Sequence, residues 1–211
     1  MYLPKYFSTD DKKRVRELIA QNSFTTLLSF PKAEKPFISH LPLIFSPQTN
    51  EDNLLLGHMA RSNPQWKHFK DNPEALAIIN GPHTYITPRW YQSDRDVPTW
   101  NYAVAHLHGK IELVEKFSEQ VQILMALTEF FESHERQPWA FAPPEDLLNE
   151  EALPAAIISF RFRIEKIEAK FKLSQNRSIE DRQGVIEGLN ERQDQGSRAI
   201  REIMRSLEKM P

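Results

Sequence analysis

Between Trp100 and Glu115 the chain reads WNYAVAHLHGKIELVE, with side-chain character changing at nearly every second position. Only a strand sends successive side chains to opposite faces, so this stretch predicts one long strand with two distinct environments. Shorter runs of the same texture surround it. Phe24–Phe30 is β-branched and aromatic, Pro36–Phe45 runs on as a second strand after a turn over Pro31–Lys35, and Leu54–Met59 makes a third. Ala75–Asn80 opens a fourth that leads on to Tyr85–Pro88. Pro36 and Pro42 withhold ladder donors, which suits an edge or a barrel rim. Short strands punctuated by turn residues predict an antiparallel barrel or sandwich.

Helical periods flank this β region. Thr9–Asn22 places Val15, Leu18 and Ile19 on one face. Asn63–Asp71 is a short helix, Ser118–Glu132 a long one, and Asp146–Glu151 a further short piece beyond a proline-rich loop. Ala155–Lys172 reads as a strand alternating little at first and clearly later. Ser178–Leu189 and Gln195–Leu207 form a C-terminal helical pair, the first opened by a capping-box-like Ser178 and Asp181. The expected organisation is an α+β chain: a barrel over 1–175 with peripheral helices, and a helical appendage over 176–211.

Composition removes several function classes. With 6 glycines against 15 prolines there is no GxGxxG and no GxxxxGK[ST] loop, so neither common nucleotide fold is expected. The chain has no cysteine, which excludes disulfides and thiolate metal sites and fits a reducing cytoplasm. No secretory signal pattern opens the sequence, and no apolar run approaches the roughly 18 residues of a membrane helix. A formal net charge of −2 argues against generic nucleic-acid binding. His106 and His108 share a strand face, but no neighbouring carboxylate completes a metal site and Glu112 is a loose third ligand, so no metal is expected.

Three stretches carry candidate chemistry. In GHMARSNPQW (57–66), Asn63 can cap a helix that Pro64 starts, and free amides there would attract an anion. Arg61 would add a planar fork and His58 further hydrogen bonds. The competing reading is a solvated corner in which His58 packs at a strand end. The second stretch holds Tyr85, Trp90, Tyr91, Trp100 and Tyr102, with Asn101 among them: either stacking partners for a flat heteroaromatic ligand or a barrel core with its hydroxyls satisfied at the rim. The third is KLSQNRS (172–178), where Lys172, Gln175, Asn176 and Arg177 form either a solvated turn or an anion clamp. No Ser/His/Asp order or carboxylate pair points to hydrolysis, and no catalytic residue emerges.

These pieces together resemble a known family. MYLPKYF (1–7), HLPL (40–43), LLGHMARSNPQW (55–66), GPHTYITPRWY (81–91), VPTWNYAVAHLHG (97–109) and KLSQNRS (172–178) occur in the order found in the PaiB family of FMN-binding negative transcriptional regulators. The resemblance implies an antiparallel split β-barrel related to pyridoxamine-phosphate oxidase, and a homodimer with FMN at the subunit interface. On that basis His58, Arg61 and Asn63 are the phosphate candidates, and Lys172, Gln175 and Arg177 candidates for phosphate or ribityl contacts. Trp100, Asn101 and Tyr102 become isoalloxazine neighbours. Implied functions are flavin-dependent redox chemistry or regulation. A haem-binding relative, using one of His40, His58, His83, His106 and His108, and a direct DNA-binding repressor are the alternatives. DNA contact has little support in the near-neutral charge and in the linker expected over Asn190–Gln195, which is long for a helix-turn-helix.

Overall fold

The computed structural model describes residues 1–32, 35–48, 52–93 and 97–208, the side chain of Glu208 excepted. The turn expected over Pro31–Lys35 falls partly outside these residues. The elements run α1 (Lys12–Gln21), β1 (Phe24–Ser29), β2 (Phe37–Pro42), β3 (Ile44–Phe45), β4 (Leu54–Ala60), α2 (Gln65–Asp71), β5 (Glu74–Ile86) and β6 (Thr99–Val114). They continue with α3 (Phe117–Glu132), α4 (Ala152–Ala156), β7 (Ile157–Lys172), α5 (Ile179–Asn190) and α6 (Gln195–Glu208). The strands form a seven-stranded sheet in the order β2-β1-β5-β6-β7-β4-β3. This is the expected α+β architecture, an antiparallel sheet with helices around it.

Four details differ from expectation. The second predicted strand is divided at Leu43, whose N–H leaves the ladder and donates to the Ser23 carbonyl at 2.8 Å. The short helix expected at Asp146–Glu151 begins instead at Ala152, because Asn149 Oδ1 accepts from the N–H groups of Glu151 (3.0 Å) and Ala152 (2.8 Å) and caps the helix there. Alternation in β7 is clear early, with Ile158, Phe160, Phe162 and Ile164 buried, and resumes out of phase at Ala169 and Phe171 after the exposed run Glu165–Ile167. The link between α5 and α6 is only Glu191–Asp194, shorter than expected because α5 runs on to Asn190.

The chain divides into two compact units. One comprises Ile19–Ile79 and His106–Ile167. In it, β1 pairs antiparallel with β2 (Phe24↔Pro42 to Ser29↔Phe37) and with β5 (Thr26↔Ile78 to Ser29↔Ala75). β4 pairs antiparallel with β7 from Leu54↔Arg163 to Ala60↔Ile157. Residues of β4 are buried on both faces. Leu56 on one face joins Ile44, Val114, Ile123, Ala126 and Leu127 in a core cluster beneath α3, whose spacing of three and four residues makes one apolar stripe. Gly57 points the other way, where a Cβ would come within 2.7 Å of both Leu43 and the Phe160 ring.

The other unit comprises Met1–Leu18, Asn80–Ala105 and Glu168–Pro211. The C-terminal helical pair therefore groups with residues on β5 and β6. Burial along β5 inverts its phase near Pro82–His83, from Ala77, Ile79 and Gly81 to Thr84 and Ile86, as a bulge would produce. The N-terminal segment lies along the end of β7: Phe171 donates its N–H to Phe7 O at 2.9 Å, and Ser8 bridges Lys170. Ser178 caps α5 by accepting from Asp181 N at 3.1 Å, while the Asp181 carboxylate accepts from Gln92 N at 2.8 Å instead of closing a reciprocal box. Arg192 lies over the Trp90 ring at 4.5 Å and donates to Tyr85 O at 2.6 Å.

Trp90 packs so closely on α5 that a Cβ at Gly188 would overlap its indole. Gly188→Ala is expected to cost about 2 kcal/mol through overpacking. That would lower the thermal midpoint by roughly 4–8 °C. An unchanged melting curve would show that the indole moves freely aside.

Candidate functional site: a cationic strand-to-helix corner and a basic turn

The corner after β4 exists because β7 begins at Ile157, which pairs with Ala60 and so ends β4. The next N–H, Arg61, donates to Ala156 O at 2.8 Å, tying the corner to α4. Asn63 then works in two directions. Its Oδ1 accepts from Gln65 N at 3.0 Å, and its Nδ2 donates to Ser39 Oγ at 2.8 Å. Gln65, fully buried, donates from Nε2 to the carbonyls of Leu27 and Phe37, both at 3.1 Å. The corner is thus bolted to β1, β2 and α4 by polar side chains.

Helix-start amides are less free than expected. Asn63 occupies Gln65 N, and Lys67 N bonds the Pro64 carbonyl at 3.0 Å, leaving a helix of seven residues with little amide surface to offer. The anion capacity of the corner rests on Arg61. Its Nε donates to Pro154 O at 2.8 Å, and its guanidinium lies 4.9 Å from the centre of the Trp66 ring. Trp66 is itself held, donating Nε1–H to Arg61 O at 2.9 Å. Lys70 lies 5.1 Å from the same ring. With one nitrogen bonded and the plane stacked, the terminal nitrogens of Arg61 are left as an oriented fork without an acceptor among the described residues. An Arg fork in this state matches phosphate oxygens.

His58 is half-buried on β4. Its Nδ1 is buried and has no hydrogen-bond partner among the described residues. Burial holds the imidazole below the ordinary histidine pKa, so it is neutral near pH 7.

The other expected residues lie in the second unit, around the turn after β7. Ser174 there has φ 64°, a left-handed conformation that costs a non-glycine residue about 1–2 kcal/mol. Asn101, fully buried, secures it: Nδ2 donates to Ser174 Oγ at 3.0 Å, and also approaches Met204 Sδ at 3.6 Å. Gln175 is likewise committed to the turn, accepting from Leu173 N at 2.7 Å and donating to Phe171 O. Asn101 and Gln175 thus build the turn. Lys172 Nζ donates to Thr99 Oγ1 and to Trp100 O (2.7 Å). Its pKa is lowered by burial first, then by the charges of Lys170 and Arg177. Arg177 stacks over Tyr91 at 4.7 Å, and Lys170 lies 5.4 Å from the Tyr102 ring centre. Trp100 is half exposed, with the rings of His83 and Tyr85 each 6.1 Å away. A solvent-facing aromatic beside mutually repelling cations is a setting for a flat, anionic ligand.

Among the histidines considered for haem, His40 bonds Thr26 at 3.2 Å and stacks on Phe24. Among the described residues no group of three or more His, Asp or Glu side chains is arranged to hold a metal ion. Sequence reasoning missed Trp66 as the platform for Arg61, although it stands in the same motif, and Pro154 as its anchor, which no local pattern marks.

The antiparallel sheet with its surrounding helices is a split-barrel FMN-binding fold. The flavocytochrome Anf3 of Azotobacter vinelandii superposes with a TM-score of 0.62 at 12% identity, covering 80% of this chain and 72% of that one. The FAD and heme binding protein of Mycobacterium smegmatis superposes at 0.59 with 14% identity, covering 78% and 73%. Residues 1–166 match the family described as "Putative FMN-binding domain". Over 206 residues the chain is 36% identical to "Protease synthase and sporulation protein PAI 2" of Bacillus subtilis (strain 168), covering 97% of this chain and 96% of that protein. The chain belongs to this FMN-binding PaiB family, and its cofactor is FMN. The residues present fit such a group: Arg61 offers an oriented fork with no acceptor among the described residues.

The His58 environment has a consequence for stability. Its folded pKa lies below the ordinary 6.5, so below that pH the unfolded chain binds more protons. Its contribution is therefore complete above about pH 6.5 and is lost as pH falls through the folded pKa. Thermal midpoints measured from about pH 7 to about pH 5 should fall more for the wild type than for His58→Gln. Parallel curves would show that His58 is not the titrating group.

Proposed function

We propose that the protein is a homodimer that binds FMN at the subunit interface, with the flavin phosphate held by Arg61 and His58 and the corner kept in shape by Asn63. The oriented, unpaired guanidinium of Arg61 is the observation that carries this reading. Trp100 and Tyr102 serve as isoalloxazine neighbours, and Lys172 and Arg177 as ribityl or phosphate contacts, supplied by a second copy; Asn101 and Gln175 act by holding the turn that presents them. FMN, when bound, supplies hydride and single-electron chemistry, and the chain supplies binding and orientation. A regulatory role would then follow from flavin state or a partner protein. On α6, Arg201 and Arg205 are ion-paired to Glu202, which leaves little net charge for DNA phosphates. A cytoplasmic location is consistent with the absence of cysteine. None of the described helices is long and apolar enough to cross a membrane.

The test separates phosphate from ring. Loss of charge-assisted hydrogen bonds from Arg61→Ala should weaken FMN by about 10–100-fold, leaving riboflavin, which has no phosphate, within about twofold. Equal losses for both flavins, or none for either, would sink the assignment of Arg61. Sedimentation of the pure protein should give a dimer; a monomer that still binds FMN would remove the interfacial site.

A further inference from the structure

β4 and β7 bring two residues with unsatisfied polar atoms into register. His58 and Ser159 are direct partners in the antiparallel register, so their side chains share one face of the sheet with Cβ atoms about 4.5–5.5 Å apart. Ser159 is fully buried and its Oγ has no hydrogen-bond partner. His58 Nδ1 is buried and unpartnered in the same way. Buried polar groups are nearly always paired, and two orphans in register are each other's nearest remedy. The two atoms are not bonded to each other in this structure, and a change of staggered χ1 well is the way a serine hydroxyl is redirected.

We infer that Ser159 is a positioning residue for His58, donating its O–H to Nδ1 and thereby fixing the imidazole proton on Nε2. A neutral imidazole has one donor and one acceptor nitrogen, so occupying Nδ1 as acceptor decides the tautomer. Since Nδ1 is the buried nitrogen, the more open side of the partly buried ring is Nε2. The chain therefore presents a neutral N–H donor there, while the positive charge at this corner comes from Arg61. The low histidine pKa agrees with a ring that stays neutral. This inference rests on the proposed phosphate role of His58 for its function, but the hydrogen bond itself does not.

The experiment is ¹⁵N NMR of the histidine rings in flavin-free protein, with FMN titrations alongside. Wild type should show His58 as the Nε2–H tautomer. Ser159→Ala should move it toward a mixture of tautomers and weaken FMN by about 3–10-fold, as loss of one neutral hydrogen bond would. Ser159→Thr, which keeps the hydroxyl, should restore both. If Ser159→Ala does not fold, Ser159→Cys, of similar size and a weaker donor, reads the same signature. An identical His58 tautomer in wild type and in the variants lacking the hydroxyl overturns the inference, whatever their FMN affinity. A shifted tautomer with unchanged FMN affinity upholds the pairing and defeats the phosphate role of His58 alone.

Discussion

The antiparallel register of β4 on β7 is the constraint on which the corner depends. Seven residue pairs, Leu54↔Arg163 to Ala60↔Ile157, decide which side chains face α3 and which face Phe160. A slip of one position would exchange the two faces, drive Leu56 out of the cluster with Ile123 and Leu127, and bring a side chain where only Gly57 fits. The same register sets Ser159 opposite His58. It also ends the ladder at Ala60, so that Arg61 leaves the strand beside Pro154 and Ala156. The polar geometry of the corner is thus a by-product of an apolar fit.

Both cationic regions follow one physical rule. A cation meant for a ligand must be oriented without being neutralised. Arg61 meets it by giving one nitrogen to a carbonyl and its face to Trp66, neither of which cancels its charge. Lys172 meets it by donating to Thr99 and to the Trp100 carbonyl while facing Lys170 and Arg177, the repulsion of which helps to lower its pKa. By contrast, Arg161 is paired with Glu119 at 2.8 Å and Glu112 at 3.3 Å, as a cation with a purely structural task commonly is. Strain at Ser174 belongs to the same pattern: a left-handed residue is tolerated where buried Asn101 over-determines it, at the turn that carries the basic residues.

Much of the fold was legible because strand and helix periods are local properties. The alternation of Trp100–Glu115 marked β6 within one residue at each end, and the helical period over Ser118–Glu132 marked α3 within one residue at its start. The α4 start was missed because Asn149 capped the chain later than the local pattern suggested. Of the candidate site, the motif GHMARSNPQW was visible, but its mechanism was not. Helix amides were expected to hold the anion, whereas Asn63 and Pro64 use them and the cation left oriented at the corner is a tryptophan-backed arginine. Asn101 and Gln175 looked like ligand contacts because amide side chains in a polar turn have the same appearance whether they face a ligand or the backbone.

By itself the sequence determined the strand and helix periods, the exclusion of glycine-loop nucleotide folds and thiolate sites, and a family order of motifs pointing to FMN. Each of these follows from neighbours along the chain or from composition. Tertiary structure alone decided which polar groups remain available. Whether Arg61 is oriented and Asn101 spent depends on Pro154 and Ser174, residues 93 and 73 positions away. Hydrogen-bond capacity is used up by contacts that are distant in sequence, and no local pattern records how much of it is left.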